Sequence, residues 1–188
     1  MKQIFFFLAV SLIASRQECL ADKKNPPVDL GALKPILDNL VAGLGLKKYN
    51  ADEVKEARTN IIKAIKAETD VAVIRIVKVL KANKNCKTNS LRNNLKTLKD
   101  VIEDVKKDMK SDFKEVKAKL NKTLGQLRNA MKKVAASIKE IKDEDCRDGL
   151  GKIEKLATDL VLVVQEMAKN YIVVVDKYLA KSKGLLGG

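Results

Sequence analysis

Histidine is absent from all 188 residues of the chain. This absence removes the most common general base and the most common metal ligand, and with them any catalytic triad that uses histidine. Carboxylates are plentiful, but the cluster from Asp143 to Asp148 lacks the regular ligand spacing and the turn glycine of a calcium loop. The sequence therefore predicts no catalytic residue, no metal site and no cofactor, and we do not expect an enzyme.

Aromatic residues are also scarce. There is no tryptophan, and aromatic side chains make up 4% of the chain. A platform on which nucleic-acid bases stack needs several such side chains. The lysines, moreover, are scattered along the sequence rather than gathered in one block. Both features argue against nucleic acid as a partner, in spite of the positive charge.

The apolar run near the start of the chain is too short to cross a membrane. It extends from Ile4 to Ala14 and follows a lysine. About eleven residues cannot span the roughly 30 Å hydrocarbon core as a helix, whereas a short apolar stretch after a positive charge is typical of a secretory signal. We predict cleavage after Ala21, with Ser15 as the alternative, and a secreted, extracellular protein with a single domain at 22–188.

Cysteine is the next scarce residue, with three in the chain. Cleavage after Ala21 removes Cys19 and leaves Cys86 and Cys146, and an even number in an exported chain indicates a disulfide. The two remaining cysteines do not form a Cys-x-x-Cys motif, so we expect a structural bond rather than redox chemistry. Cleavage after Ser15 would instead keep a third thiol and favour a covalent dimer.

Apolar residues recur at helical spacing along most of the chain. This periodicity predicts four long helices and an additional short N-terminal amphipathic helix. The predicted bounds are 33–44 for the short helix and 50–84, 88–110, 112–143 and 148–181 for the long ones. A flexible arm is expected at 22–32 and a flexible tail at 184–188.

One apolar stripe extends from Leu95 to Ile138 at an average step of about 3.6 residues, which by itself describes one continuous helix. The cysteines flank this stripe, and a disulfide requires two Cα atoms within about 7 Å. The stripe must therefore fold back, and the best hinge is at 110–112, with 121–125 as the alternative. The result is an all-α, up-down-up-down four-helix bundle with the bond between connections at one end.

The predicted last helix is apolar nearly all round, which indicates a central position or a second apolar partner. Together with the segment 33–44, it supplies more apolar surface than four amphipathic helices need. We therefore expect the protein to carry or sequester a lipid or another apolar ligand between its helices. The expected lining residues are Leu40, Leu44, Ile65, Ile76, Phe113, Leu160, Val164, Met167 and Tyr171. This general architecture is similar to that of the exchangeable apolipoproteins of insects, from which the disulfide and the positive charge depart.

The formal net charge is +14 and comes mostly from lysine, a hydrated point charge suited to diffuse attraction by anionic surfaces. An alternative function is therefore a secreted effector that binds anionic phospholipid or a sulphated glycan. A second alternative is a structural or assembly protein, in which the long stripe pairs between chains as a coiled coil. Asn121 begins an Asn-Lys-Thr sequon and is a candidate N-glycosylation site.

Overall fold

The computed structural model of the protein describes residues 50–184. Within this range the chain forms four helices and no strand, as the periodicity predicts. All four belong to one compact unit, Lys48–Gly188. The helices are α1 (Ala51–Ala82), α2 (Asn89–Asp108), α3 (Phe113–Lys139) and α4 (Glu144–Ser182).

Several predicted segments lie outside the described residues. They are the signal peptide at 1–21, the arm at 22–32, the short helix at 33–44 and, apart from Gly184, the tail at 184–188.

Side-chain caps define the start of three of the helices. Asn50, Asp112 and Asp143 each accept a hydrogen bond from a backbone N–H two or three residues further along the chain, at 2.8 to 2.9 Å. Acidic residues follow in the first turn of each of these helices, where they complement the positive end of the helix dipole. These caps fix where α1, α3 and α4 begin.

The bounds predicted for the first two helices agree with α1 and α2 to within two residues at each end. The bounds predicted for the connection between the third and fourth helices are wrong, because α3 ends at Lys139 and α4 already begins at Glu144. The physical reason is that the Asp143 carboxylate caps the start of α4, so Asp143 is not the last residue of α3 as predicted. Cys146 therefore lies in the first turn of α4 and not in a connection.

The apolar stripe folds back at the hinge that the sequence favours. After α2 ends, the backbone N–H groups of Lys110 and Ser111 donate to carbonyls three residues earlier, at 2.9 and 3.1 Å, and Asp112 then caps α3. The alternative hinge at 121–125 lies within the uninterrupted helix α3. That alternative is wrong.

The predicted disulfide between Cys86 and Cys146 is present. The two Cα atoms are 5.7 Å apart, and the bond spans 60 residues of sequence. It connects the segment that follows α1 to the first turn of α4, which are both at one end of the α1/α4 pair. The bond therefore prevents these two helices from separating at that end.

Helix α4 contacts both α1 and α3, α2 contacts α3, and α1 and α2 barely touch. Helix α3 likewise contacts two neighbours, so these contacts do not single out the last helix for the predicted central position. The core draws on all four helices. The largest of its fully buried side chains are Val54, Ile65, Leu91, Ile102, Val105, Met109, Val116, Leu120, Leu127, Leu150, Ile153 and Tyr171.

Polar contacts between α2 and α3 fix how these two helices meet. The Asn94 amide donates to the Lys133 carbonyl at 3.1 Å, and the Thr123 hydroxyl donates to the Asp108 carboxylate in a short hydrogen bond. The start of α2 therefore lies beside the end of α3.

Two further contacts join the start of α3 to the end of α4. Lys117 pairs with Asp176 at 2.8 Å, and the ring of Phe113 packs edge-on against Tyr178 with centroids 5.0 Å apart. Both contacts are at the end of the molecule away from the disulfide.

Close to the disulfide, the Asn83 side chain at the end of α1 occupies the space beside Gly149 of α4. A Cβ atom at Gly149 would lie 2.2 Å from the side-chain oxygen of Asn83. The Asn83 amide in turn donates to the Val79 carbonyl at 2.9 Å and so helps to end α1. The lack of a side chain at Gly149 thus lets the Asn83 side chain lie against α4 in this position.

Replacing both cysteines, as in Cys86→Ser with Cys146→Ser, should lower the free energy of unfolding by about 4 kcal/mol, because the open chain regains the entropy that a loop of this length removes from the unfolded state. The helical content of the folded state should stay the same. Urea unfolding followed by circular dichroism measures both quantities. An unchanged midpoint would contradict the stabilising role of the bond.

Two glycines of α4 should respond differently to alanine. Gly151→Ala should raise the free energy of unfolding by about 0.5 to 1 kcal/mol, because its Cβ meets no atom within 4 Å and alanine favours the helix. Gly149→Ala has the same helix preference but displaces Asn83, so we expect it to be less stable than Gly151→Ala by at least about 1 kcal/mol. Equal unfolding midpoints would contradict the close approach.

Candidate functional site

The solvent-facing side of α3 is strongly cationic. No carboxylate occurs between Glu115 and Glu140, so nearly the whole helix carries positive charge alone. Its buried side is apolar, with Val116, Leu120 and Val134 fully buried. Since a helix places residues three and four apart on one side, the cations occupy the positions that remain and face solvent.

The cations of α3 differ in whether a carboxylate neutralises them. Lys117 pairs with Asp176 and Lys119 with Glu115, each at 2.8 Å, and the hydrogen bond and charge of Glu115 raise the pKa of Lys119. Further along α3, no cation has a carboxylate of residues 50–184 within ion-pair distance. These exposed and unpaired residues, which we call the α3 cationic surface, are Lys122, Arg128, Lys132, Lys133 and Lys139.

Helix α2 adds a second group of exposed cations. Arg92, Lys96 and Lys99 follow one another at steps of four and three residues, so they share one side of the helix, and no carboxylate precedes Asp100 in α2. Asn94, which contacts α3, is on another side. Because the start of α2 lies beside the end of α3, Arg92 and Lys96 are in the same half of the molecule as Lys132, Lys133 and Lys139, the half that contains the disulfide.

The residues predicted to line an apolar ligand are mostly core residues. Leu40 and Leu44 lie outside the described residues, and Phe113 is half-buried against Tyr178 at the start of α3. The other predicted lining residues are buried and come from the two helices α1 and α4, which pack together: Ile65, Ile76, Leu160, Val164, Met167 and Tyr171.

The contacts between α1 and α4 place part of this set together. Towards the start of α1, the Arg58 guanidinium is close enough to the Tyr171 phenol to affect its pKa. Towards the end of α1, the Asn83 side chain lies against Gly149. Counting along both helices from these contacts puts Ile65 level with Val164. Ile76 lies about three helical turns further towards the disulfide, so it is not grouped with them.

Tyr171 is the most unusual of these core residues. Its side chain is 0% exposed, and its hydroxyl has no hydrogen-bond partner. Burial raises the pKa of the Tyr171 phenol, and the nearby Arg58 guanidinium opposes this rise without reversing it or forming a hydrogen bond of ordinary geometry. Buried polar groups are almost always hydrogen-bonded, so this hydroxyl is an exception.

The predicted glycosylation sequon lies on the outside of α3. Asn121 is exposed, whereas the third residue of the sequon, Thr123, is buried and its hydroxyl contacts Asp108 and the Lys119 carbonyl. The asparagine amide is thus accessible in the folded protein. Modification of Asn121 stays a prediction.

The acidic cluster next to Cys146 has a structural role. Asp143 caps α4, and Glu144 lies 3.4 Å from Arg147. Over residues 50–184, no group of three or more potential metal ligands lies close enough together to hold an ion. In the same range, none of the helices combines the length and the apolar character that crossing a membrane requires.

Comparison with known proteins yielded no family model, no curated protein and no solved structure that matches the chain.

Sequence reasoning described the charge as scattered and missed its concentration on α3. The signal was available, because the interval without carboxylates between Glu115 and Glu140 can be read directly from the sequence. It also missed Arg58. No sequence pattern pairs that residue with Tyr171, since their proximity depends on how α1 packs against α4.

Replacing the buried phenol by Tyr171→Phe removes the hydroxyl and keeps the shape of the ring. The free energy of unfolding should stay the same or rise by up to about 1 kcal/mol, because the folded state no longer buries an unpaired polar group. Tyr178→Phe, at the half-buried ring beside Phe113, is the matched control and should change little. A loss larger than about 1 kcal/mol in Tyr171→Phe would mean that the hydroxyl has a partner.

Proposed function

We propose that this is a secreted, basic helical-bundle protein that binds a linear polyanion, such as a sulphated glycan, through the α3 cationic surface. The observation that supports this most is a row of exposed, unpaired cations on a helix that has no carboxylate over 116–139. Like charges held this close repel one another and cost stability. A polyanion removes that cost when it binds.

The row of cations suits a linear partner. From Lys122 to Lys139 it extends over about 25 Å of helix, at 1.5 Å per residue. Lysine and arginine side chains along such a length attract successive charged groups of a chain molecule without needing a pocket. The expected binding is therefore strong at low salt and weak at high salt.

The distribution of exposed apolar side chains favours a glycan over a lipid surface. An interfacial helix buries an apolar face beside its cations. The large apolar side chains exposed among the described residues are on α1 and α4, not on the helices that carry the unpaired cations: Ile74, Val77, Leu162 and Val173. Binding to anionic phospholipid is thus the less favoured form of polyanion binding.

The predicted signal peptide and the disulfide support secretion as part of this proposal. We also propose the up-down-up-down order of the helices. Three contacts support it, because each joins a residue near the start of one helix to a residue near the end of its neighbour: Asn94 with Lys133, Lys117 with Asp176, and Gly149 with Asn83. The short helix at 33–44 remains part of the proposed fold.

A second candidate function is carriage of a lipid or another apolar ligand. The specific observation in its favour is the buried, unpaired hydroxyl of Tyr171 among apolar residues of α1 and α4. The assembly alternative has less support, because most residues of the long apolar stripe are buried within this chain and are not free to pair between chains.

The main proposal predicts that the triple variant Arg128→Gln, Lys132→Gln and Lys133→Gln binds a sulphated glycan about tenfold more weakly or worse at low salt, because three neighbouring charges are lost. The affinity should also depend less steeply on salt. Calorimetric titration with heparin at several salt concentrations measures both.

The matched control removes the same number of charges elsewhere. Lys63→Gln, Lys66→Gln and Lys152→Gln change exposed cations on α1 and α4 that have no ion pair with a described carboxylate. This variant should keep most of the affinity. Equal losses in both triple variants would mean that only net charge matters and would contradict a defined surface on α3.

A further inference from the structure

We infer that Tyr171 and Arg58 form a subsite for the carboxylate of a long-chain fatty acid. This inference rests on the second candidate function, carriage of an apolar ligand. It adds the chemical class of that ligand and the two side chains that recognise its head group.

The phenol oxygen of Tyr171 can accept from the Arg58 guanidinium, but neither side chain offers an acceptor for the proton of the Tyr171 hydroxyl. A guanidinium has five N–H donors and no acceptor, so Arg58 cannot accept the proton of the Tyr171 hydroxyl. No acceptor elsewhere in the described chain takes that proton either. The hydroxyl therefore has an unused donor inside the protein.

Arg58 is itself unpaired. No carboxylate of the described residues lies within ion-pair distance of its guanidinium, although the side chain is half-buried in the second turn of α1. A ligand that satisfies both groups must accept hydrogen bonds and carry negative charge. A carboxylate does both, with one oxygen for each donor.

The surroundings of Tyr171 determine what the carboxylate must be attached to. The residues one turn before and one turn after Tyr171 on α4 are apolar and buried, namely Met167, Ala168, Val174 and Val175. A small hydrated anion would have to lose its water here without other compensation. An alkyl chain instead gains by leaving water, so a fatty acid fits where an inorganic anion does not.

The position in the fold is compatible with entry of a ligand. Arg58 and Tyr171 lie towards the start of α1 and the end of α4, whereas the disulfide links the opposite ends of this pair. Local opening therefore requires no break of a covalent bond. Because Arg58 is half-buried and Tyr171 fully buried, the carboxylate would reach the guanidinium first and the phenol second.

The test measures oleate binding to the full secreted chain by calorimetry, with methyl oleate as a probe that has the same alkyl chain and no charge. Wild-type protein should bind oleate more tightly than methyl oleate. Tyr171→Phe should weaken oleate binding about tenfold, as expected for losing a hydrogen bond to a charged group, and should leave methyl oleate binding unchanged. Arg58→Gln should act in the same direction.

Matched variants separate this subsite from general effects. Tyr178→Phe and Arg75→Gln change the same residue types on the same helices away from the proposed subsite, and both should bind oleate as wild type does. Equal oleate affinity in Tyr171→Phe and wild type would overturn the subsite but leave carriage of an apolar ligand intact. Absence of binding of either probe to wild type would overturn both.

Discussion

The bond between Cys86 and Cys146 sets the condition that the rest of the described fold satisfies. It spans 60 residues that include two whole helices, α2 and α3, and it brings the ends of this segment to within 5.7 Å between Cα atoms. A single straight helix over the long apolar stripe cannot meet that condition. The turn that ends in the Asp112 cap therefore follows from the disulfide as much as from local sequence, and so does the contact between the end of α1 and the start of α4.

Charge and apolar character are separated on α3 in a way that links stability to the proposed binding of a polyanion. The apolar residues of this helix are buried, and the remaining positions between Glu115 and Glu140 carry cations but no anions. Such a surface does not stabilise the folded protein, because neighbouring ammonium and guanidinium groups repel one another. The core and the disulfide compensate for this repulsion. A partner that supplies negative charge offsets this repulsion when it binds, which gives a physical reason for the cationic surface of α3.

Features that depend on local sequence could be predicted. The start of α1 and the hinge before Asp112 follow from residue types at fixed spacing, and the disulfide follows from the even number of cysteines left after the predicted cleavage. The start of α4 could not, because the segment from Asp143 to Asp148 contains several acidic residues that suit a cap, and the local sequence does not distinguish Asp143, the residue that caps the helix.

Features that depend on contact between distant segments were beyond sequence reasoning. The close approach at Gly149 and the proximity of Arg58 to Tyr171 both arise where α1 meets α4. The sequence around each of these three residues does not distinguish it from other residues of the same type on the same helix. Of the predicted ligand-lining residues, those on α1 and α4 proved to be core residues, which is what apolar periodicity identifies whether or not a ligand is present.

The most direct test of the central claim, that the α3 cationic surface binds a linear polyanion, is an amide NMR titration of the folded protein with a short heparin oligosaccharide. The largest shifts should fall on residues 122–139, and added salt should reverse them. Shifts spread evenly over all four helices would contradict a defined surface, and shifts confined to α1 and α4 would place binding elsewhere.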